Sequence, residues 1–298
     1  MKNFVERETY CEMTFSNFGP YWHLYTPGKD TPLTFATPSD LAFVMNVIAL
    51  VASGMKVRII AFEVMGNHLH FVLAGQREEA FEFWEQVRRR IARHYPVFKN
   101  MPCGLKEIEN IQALRNNIVY VNRNGYVADP SHTPFSYPWG TGRYYFLDAP
   151  EGRALSETII DERRKMFRTR EPDIPFEWRV CNGYILPSEY CALNFGMSVF
   201  RDAHHYFSLV SKNIESYREL AVELDDGEFL TDQELFAQIF KYLRSSYGAD
   251  RLSAISKAQK LDLAVKLRQE FRSSNGQIRR VLGLSAYEVD SLFPLTKK

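Results

Sequence analysis

The stretch from Val57 to Leu73, VRIIAFEVMGNHLHFVL, constrains the fold more than any other part of the chain. An apolar strand runs into Gly66-Asn67 and then into a second strand that opens with His68-Leu69-His70. Alternate residues of a strand point to the same face. His68 and His70 therefore stand side by side, while Leu69, Phe71 and Leu73 turn to the opposite face and its core. Two neutral imidazoles on one rigid edge make half of a divalent-metal site. A bare H-x-H is more often a polar pair on a solvated strand face, but this pair sits among apolar residues of both strands. Glu63 on the first strand alternates with Ala61 and Met65, and Phe62 and Val64 take the other face.

With 298 residues, the chain is long enough for one large domain or two ordinary ones. A hydrophobic fraction of 45% and an aromatic fraction of 14% indicate a globular protein with a substantial core. No apolar run reaches the length of a membrane span, and MKNFVERETY lacks a signal-peptide stretch, so a cytoplasmic location is expected. Cys11, Cys103, Cys181 and Cys191 are scattered without a C-x-x-C pair, which suits a reducing compartment and argues against structural zinc.

The spacing predicts a first strand at Tyr21–Tyr25 and a helix capped by Thr37 or Ser39 that runs to about Ala52. After the strand pair, a helix from about Glu78 to His94 is expected to bury Phe81, Trp84, Val87 and Ile91. Leu105–Ile108 reads as a strand and Ile111 to about Asn122 as a helix. This order describes an α+β domain, an antiparallel sheet with packed helices. On the last helix Tyr120 and Asn124 are four residues apart and share a face. A tyrosine hydroxyl is a poor nucleophile at its normal pKa of about 10 and needs a polarised electrophile or a positive environment. A carboxamide four residues on can complete a metal site begun by two histidines; the bland reading is a packed aromatic and a polar helix stop before Gly125.

Taken together, Met65-Gly66-Asn67-His68-Leu69-His70-Phe71 resembles the M-P-N-H-x-H signature of HUH single-tyrosine transposases. Tyr120-Val121-Asn122-Arg123-Asn124 and Tyr137-Pro138-Trp139-Gly140 resemble the Y-[IV]-x-x-N-P and Y-P-W-S-S elements of the REP-associated branch, in the same order. The resemblance covers roughly the first 146 residues. It implies an HUH, ferredoxin-like domain in which His68 and His70, with Asn124 or alternatively Glu63 as third ligand, hold Mg²⁺ or Mn²⁺. Tyr120 would then attack a phosphate of single-stranded or hairpin DNA and form a 5′-phosphotyrosine link. Members of the superfamily work as monomers and as dimers, so a homodimer is open. Gly66, Gly125 and Gly140-Thr141 depart from the pattern, standing where the family has two prolines and paired serines. His23 on the first strand is a weak further candidate for the site.

Arg88, Arg89, Arg90 and Arg93 cluster on the helix after the histidine strand, and Arg163, Arg164, Lys165, Arg168 and Arg170 form a second group. Such runs are most often solvated helix faces; in a DNA enzyme they would neutralise phosphates. Asn182–Pro187 reads as a turn with a short ordered connection. Acidic Glu223, Asp225, Asp226 and Glu228 mark a boundary, and Thr231 with Glu234 resembles a capping box. Beyond it only helices are expected: Lys260–Phe271, a turn at Ser273–Gly276, and a helix beginning near Ser285. This resembles a helix-turn-helix, with Gln277, Arg279 and Arg280 near phosphates and Tyr287 on the reading helix; a small packing bundle is the bland alternative.

The expected organisation is a catalytic domain at 1–148, a connecting region at 149–228 and a helical DNA-binding domain at 229–298. The expected function is metal-dependent cleavage and rejoining of single-stranded DNA. The alternatives are a domesticated DNA-binding protein of the same fold and a metal-dependent hydrolase in which Tyr120 is dispensable.

Overall fold

The computed structural model describes residues 2–28, 31–128, 132, 135–169, 172–212, 232–271, 273 and 275–293. The acidic stretch at Glu223–Glu228, Thr231 of the expected capping box, Arg170 and Ser274 lie outside the described residues. Contacts divide the chain into two compact units, Met1–Leu220 and Ala221–Lys298.

The first unit is built on strands β1 (Tyr21–Tyr25), β2 (Arg58–Val64), β3 (Leu69–Ala74) and β4 (Gly104–Glu107) in the spatial order β2-β3-β1-β4, each neighbour antiparallel. Helix α2 (Pro38–Ala52) connects β1 to β2, and α3 (Arg77–Ala92) lies between β3 and β4. This βαββαβ order with an antiparallel sheet is the ferredoxin-like split arrangement, an α+β fold. The local chemistry explains the elements. Thr37 caps α2 in a reciprocal capping box with Asp40, Pro38 opens the helix, and Phe43 to Val51 are all buried. β3 is buried along its whole length because both of its faces are covered, which is why the run reads as nearly continuous apolar sequence.

The two faces of that sheet differ. Phe71 points to α3, where its ring meets Phe83 at 5.3 Å between centroids. His70 points the other way, toward helix α4 (Ile111–Ala128), and pairs in register with Tyr25 on one side and Glu63 on the other. A register shift between Ile59 and Ala61 sets the alignment that places Glu63 opposite His70.

An N-terminal helix, α1 (Lys2–Phe18), precedes the first strand and was not expected. It is held to α4 by a salt bridge from Arg115 to Glu8 at 2.6 Å, with Arg201 on the same carboxylate at 3.3 Å. On α3 the buried stripe is Ala80, Phe83, Trp84, Val87 and Ile91, whereas Phe81 is 51% exposed. That corrects the expectation for Phe81: it falls about 100° off the stripe, and Phe83 takes the core position. Helix α4 also runs past Asn122 and through Gly125, since a single glycine weakens a helix without ending it.

Residues 153–169 and 172–212 form a further layer of the first unit, with a small sheet of β5 (Arg153–Ala154), β6 (Arg179–Cys181) and β7 (Tyr184–Ile185) and helices α5 (Ile160–Phe167), α6 (Leu193–Ser198) and α7 (Ala203–Lys212). Asn182 and Gly183, both at positive φ, make the two-residue turn between β6 and β7. Buried Asn46 of α2 stitches this layer down, donating to Met166 O and Gly183 O and accepting from Ile185 N at 2.9–3.1 Å.

In the described residues the second unit is helical: α8 (Asp232–Tyr247), α9 (Lys257–Phe271), α10 (Asn275–Leu282) and α11 (Ala286–Leu292) enclose a core that includes Leu235, Ile239, Leu263, Leu267, Ile278, Val281 and Val289. Gly283 at φ +64 ends α10, with Leu284 N donating to Arg279 O, and Ser285 caps α11 in a box with Glu288. The helix α10 begins at Asn275, inside the segment expected as a turn. Among the described residues no helix is long and apolar enough to cross a membrane.

Candidate functional site

The face of the sheet under α4 is lined by polar side chains where apolar ones would be expected. His23, Glu63, His68 and His70 are each no more than 2% exposed, and Asn117 and Asn124 of α4 are 5% and 4% exposed. Burying so many polar groups costs free energy unless each is hydrogen-bonded, so such a layer is a feature in search of a function.

The strands place these groups by register. His70 sits in β3 between Glu63 of β2 and Tyr25 of β1, and His23 lies two residues along β1. The His70 ring is 5.1 Å from that of His68, 5.3 Å from that of His23 and 5.7 Å from that of Tyr120, centroid to centroid. Tyr120 is also 6.0 Å from His23. Tyr120, 4% exposed, thus enters the histidine cluster from the helix side.

Hydrogen bonds orient the imidazoles. The Asn67 amide donates through Nδ2 to the carbonyls of Gly28 at 2.9 Å and Thr31 at 2.7 Å, so its oxygen faces His68 Nδ1 at 2.7 Å. An amide oxygen only accepts, so His68 Nδ1 carries the proton and the buried Nε2 is the basic nitrogen. Gly28 closes over this ring: a Cβ there would stand 2.9 Å from His68 Nδ1. His23 contacts Asn117 Oδ1 through Nδ1 at 2.5 Å and His70 Nδ1 through Nε2 at 3.1 Å.

The segment Tyr137–Thr141 lies along the outer edge of β2. Val64 N donates to Trp139 O at 2.8 Å, Thr141 N to Phe62 O at 3.0 Å, and the Tyr137 hydroxyl to Val64 O at 2.8 Å. Thr141 Oγ1 accepts from Phe62 N at 3.0 Å and donates to Asn122 Oδ1 at 2.6 Å. The sheet edge is therefore tied to the helix that carries Tyr120. Gly140 pairs with Glu63 in an antiparallel bridge, against the Glu63 carboxylate.

Among the described residues no group of three or more His, Cys, Asp or Glu side chains is gathered so as to hold a metal, so Glu63, His68 and His70 do not form one such cluster. The donor types nonetheless suit a divalent ion: two imidazoles whose Nε2 atoms are buried, and the buried Asn124 amide, which would ligate through its oxygen.

The basic residues are distributed less simply. Arg88 is committed locally, at 2.7 Å from Glu85 and to the carbonyls of Phe98 and Lys99. Arg89 and Arg93 are exposed, and burial followed by the charge of Arg93 lowers the pKa of the half-buried Arg90. In the second group, Arg163 binds the Thr158 carbonyl and Arg168 binds Tyr95 and Asp40 over the face of Phe43. In the second unit Gln277 is buried, Arg280 pairs with Asp232 at 2.8 Å, and Arg279 and Tyr287 are exposed.

Sequence reasoning gave His23 little weight and overlooked Asn117. The signal for Asn117 was available, since Asn117, Tyr120 and Asn124 follow the i, i+3, i+7 spacing of one helical face. His23 becomes part of the cluster only through the pairing of β1 with β3.

No protein-family model matches the chain, and no curated protein matches it. A solved structure of a REP-associated tyrosine transposase bound to a REP hairpin is similar at 15% identity and a TM-score of 0.36, over 43% of this chain and 80% of that one.

Proposed function

We propose that the first unit cuts and rejoins single-stranded DNA through Tyr120, with Mg²⁺ or Mn²⁺ held by His68, His70 and Asn124. The observation that carries the reading is the placement of the Tyr120 ring against His70 in a polar layer buried between sheet and helix. A bound divalent ion would polarise the scissile phosphate and offset its charge. Tyr120 Oη attacks phosphorus, the bond from phosphorus to the 3′-oxygen breaks, and the tyrosyl proton ends on the departing 3′-hydroxyl. The product is a 5′-phosphotyrosine and a free 3′ end. A 3′-hydroxyl from another strand reverses the step, so the number of phosphodiester-type bonds is conserved and no nucleotide cofactor is consumed.

Exposed Arg93, together with Arg89, which also lies 3.7 Å from the Glu85 carboxylate, and Arg279 and Tyr287 of the second unit, are the groups on offer to phosphates and bases. A second reading, a DNA-binding protein that keeps the fold without cutting, is favoured by the 4% exposure of Tyr120.

The test is covalent capture. Purified protein, labelled single-stranded hairpin oligonucleotides and Mn²⁺ are resolved under denaturing conditions, with Tyr120→Phe and His68→Ala beside the wild type. A protein–DNA band lost in both variants is expected. Salt-sensitive binding without any band favours the non-cutting reading, and cleavage that survives Tyr120→Phe points to a hydrolase.

A further inference from the structure

We infer that His23 and Asn117 are positioning residues that fix the tautomer of His70, and so decide which of its nitrogens is available to a ligand. The inference rests on the metal reading above only for its consequence, because the hydrogen-bond chain exists without a metal.

The chain is directional, and its direction can be traced from one end. Asn117 Nδ2 donates to the carbonyl of Ala113 one turn back on α4 at 2.8 Å. That bond sets the amide so that Oδ1, an acceptor, faces His23. His23 Nδ1 must then carry a proton and donate at 2.5 Å. In a neutral ring Nε2 is left as an acceptor, and the group it meets at 3.1 Å is His70 Nδ1. His70 Nδ1 therefore carries the proton, and the basic lone pair of His70 lies on Nε2, a buried atom.

Asn67 imposes the same tautomer on His68 by a separate route. Both imidazoles thus present Nε2, although one is set by a loop amide and the other by a relay crossing from helix to sheet. The relay also spans the two elements that must stay in register, since Asn117 and Tyr120 belong to the same helix and His23 and His70 to neighbouring strands. Outer partners of ligating histidines are worth about 10- to 100-fold in metal affinity.

The test reads the tautomer directly. Protein labelled with ¹⁵N in its histidines is examined without metal by two-bond ¹H–¹⁵N correlation, and the His70 signals are assigned by their loss in His70→Ala. The expected wild-type pattern is Nδ1–H on His70. Asn117→Leu and His23→Phe should shift it toward Nε2–H or a mixture, and Asn117→Asp, which keeps an acceptor toward His23, should restore it. Mn²⁺ affinity, followed by loss of the free-ion EPR signal, should fall by about 10- to 100-fold in Asn117→Leu and His23→Phe, with the double variant no weaker than the single ones.

Nε2–H on His70 in the wild type overturns the inference, as does an unchanged tautomer and Mn²⁺ affinity in Asn117→Leu. A tautomer that responds as expected in a protein that binds no Mn²⁺ supports the relay and overturns the metal reading instead.

Discussion

Gly140 and Glu63 face each other in an antiparallel bridge so close that a methyl group on Gly140 would stand 2.6 Å from Glu63 Oε2 and 2.6 Å from the carbonyl of Phe62. Phe62 O belongs to the backbone of β2, so it yields only if the strand shifts, and Glu63 is itself buried. Gly140→Ser, which restores the residue found in the motif that this segment resembles, should therefore cost about 1–3 kcal/mol of stability. Urea unfolding checks it. A variant as stable as the wild type would mean that the segment at 137–141 is not seated on β2 as described.

Thr141→Val should be costly although it preserves shape. The hydroxyl accepts from Phe62 N and donates to Asn122 Oδ1, and both partners are buried. Leaving buried polar groups unsatisfied costs about 1–3 kcal/mol each. A lower urea midpoint with an unchanged slope is expected.

Gly28→Ala tests the His68 side of the site. The new Cβ would meet the ring at 2.9 Å from Nδ1 and 3.1 Å from Cε1, so the imidazole must move. Since Gly28 lies in a loop, the fold should survive, with Tm close to the wild type. Mn²⁺ binding should weaken by about tenfold or more. Unchanged affinity would remove His68 from the ligand set.

His205 carries a pH dependence that is separate from the site. Burial, then the charges of Arg201 and Arg115, hold its imidazole down to about 4, against 6.5 when free. A group whose pKa is depressed by folding binds its proton more readily in the unfolded chain. Its contribution is therefore fully present above pH 6.5 and lost as the pH falls from there toward 4. Denaturation midpoints should drop across that window, and less steeply in His205→Phe.

Legibility in the sequence followed the range of the forces involved. Helix α2 could be read because its cap, its opening proline and its apolar run are all local. The histidine strand could be read because alternation is local too. Helix α1 could not, since what holds it is Glu8 reaching Arg115, a contact across 107 positions. The choice between Phe81 and Phe83 needed the phase of the helix against the sheet, which neither residue announces. In the candidate site, His68, His70 and Tyr120 stand out in the sequence as motif residues, and the fold brings the rings of His68 and Tyr120 each to that of His70. His23 was undervalued because nothing in YWHLY says which strand will lie beside it.

The hydroxyl of Thr141 has a mechanical consequence. It fastens the sheet edge to Asn122, two residues from Tyr120 on the same helix. If a DNA end is joined to Tyr120, that end is moored to an element that cannot swing away without breaking a buried bond. On the proposed reading, trading one strand for another would then fall to the DNA, which would have to slide past a fixed post, and the speed of exchange would track the suppleness of the oligonucleotide more than any motion of the protein.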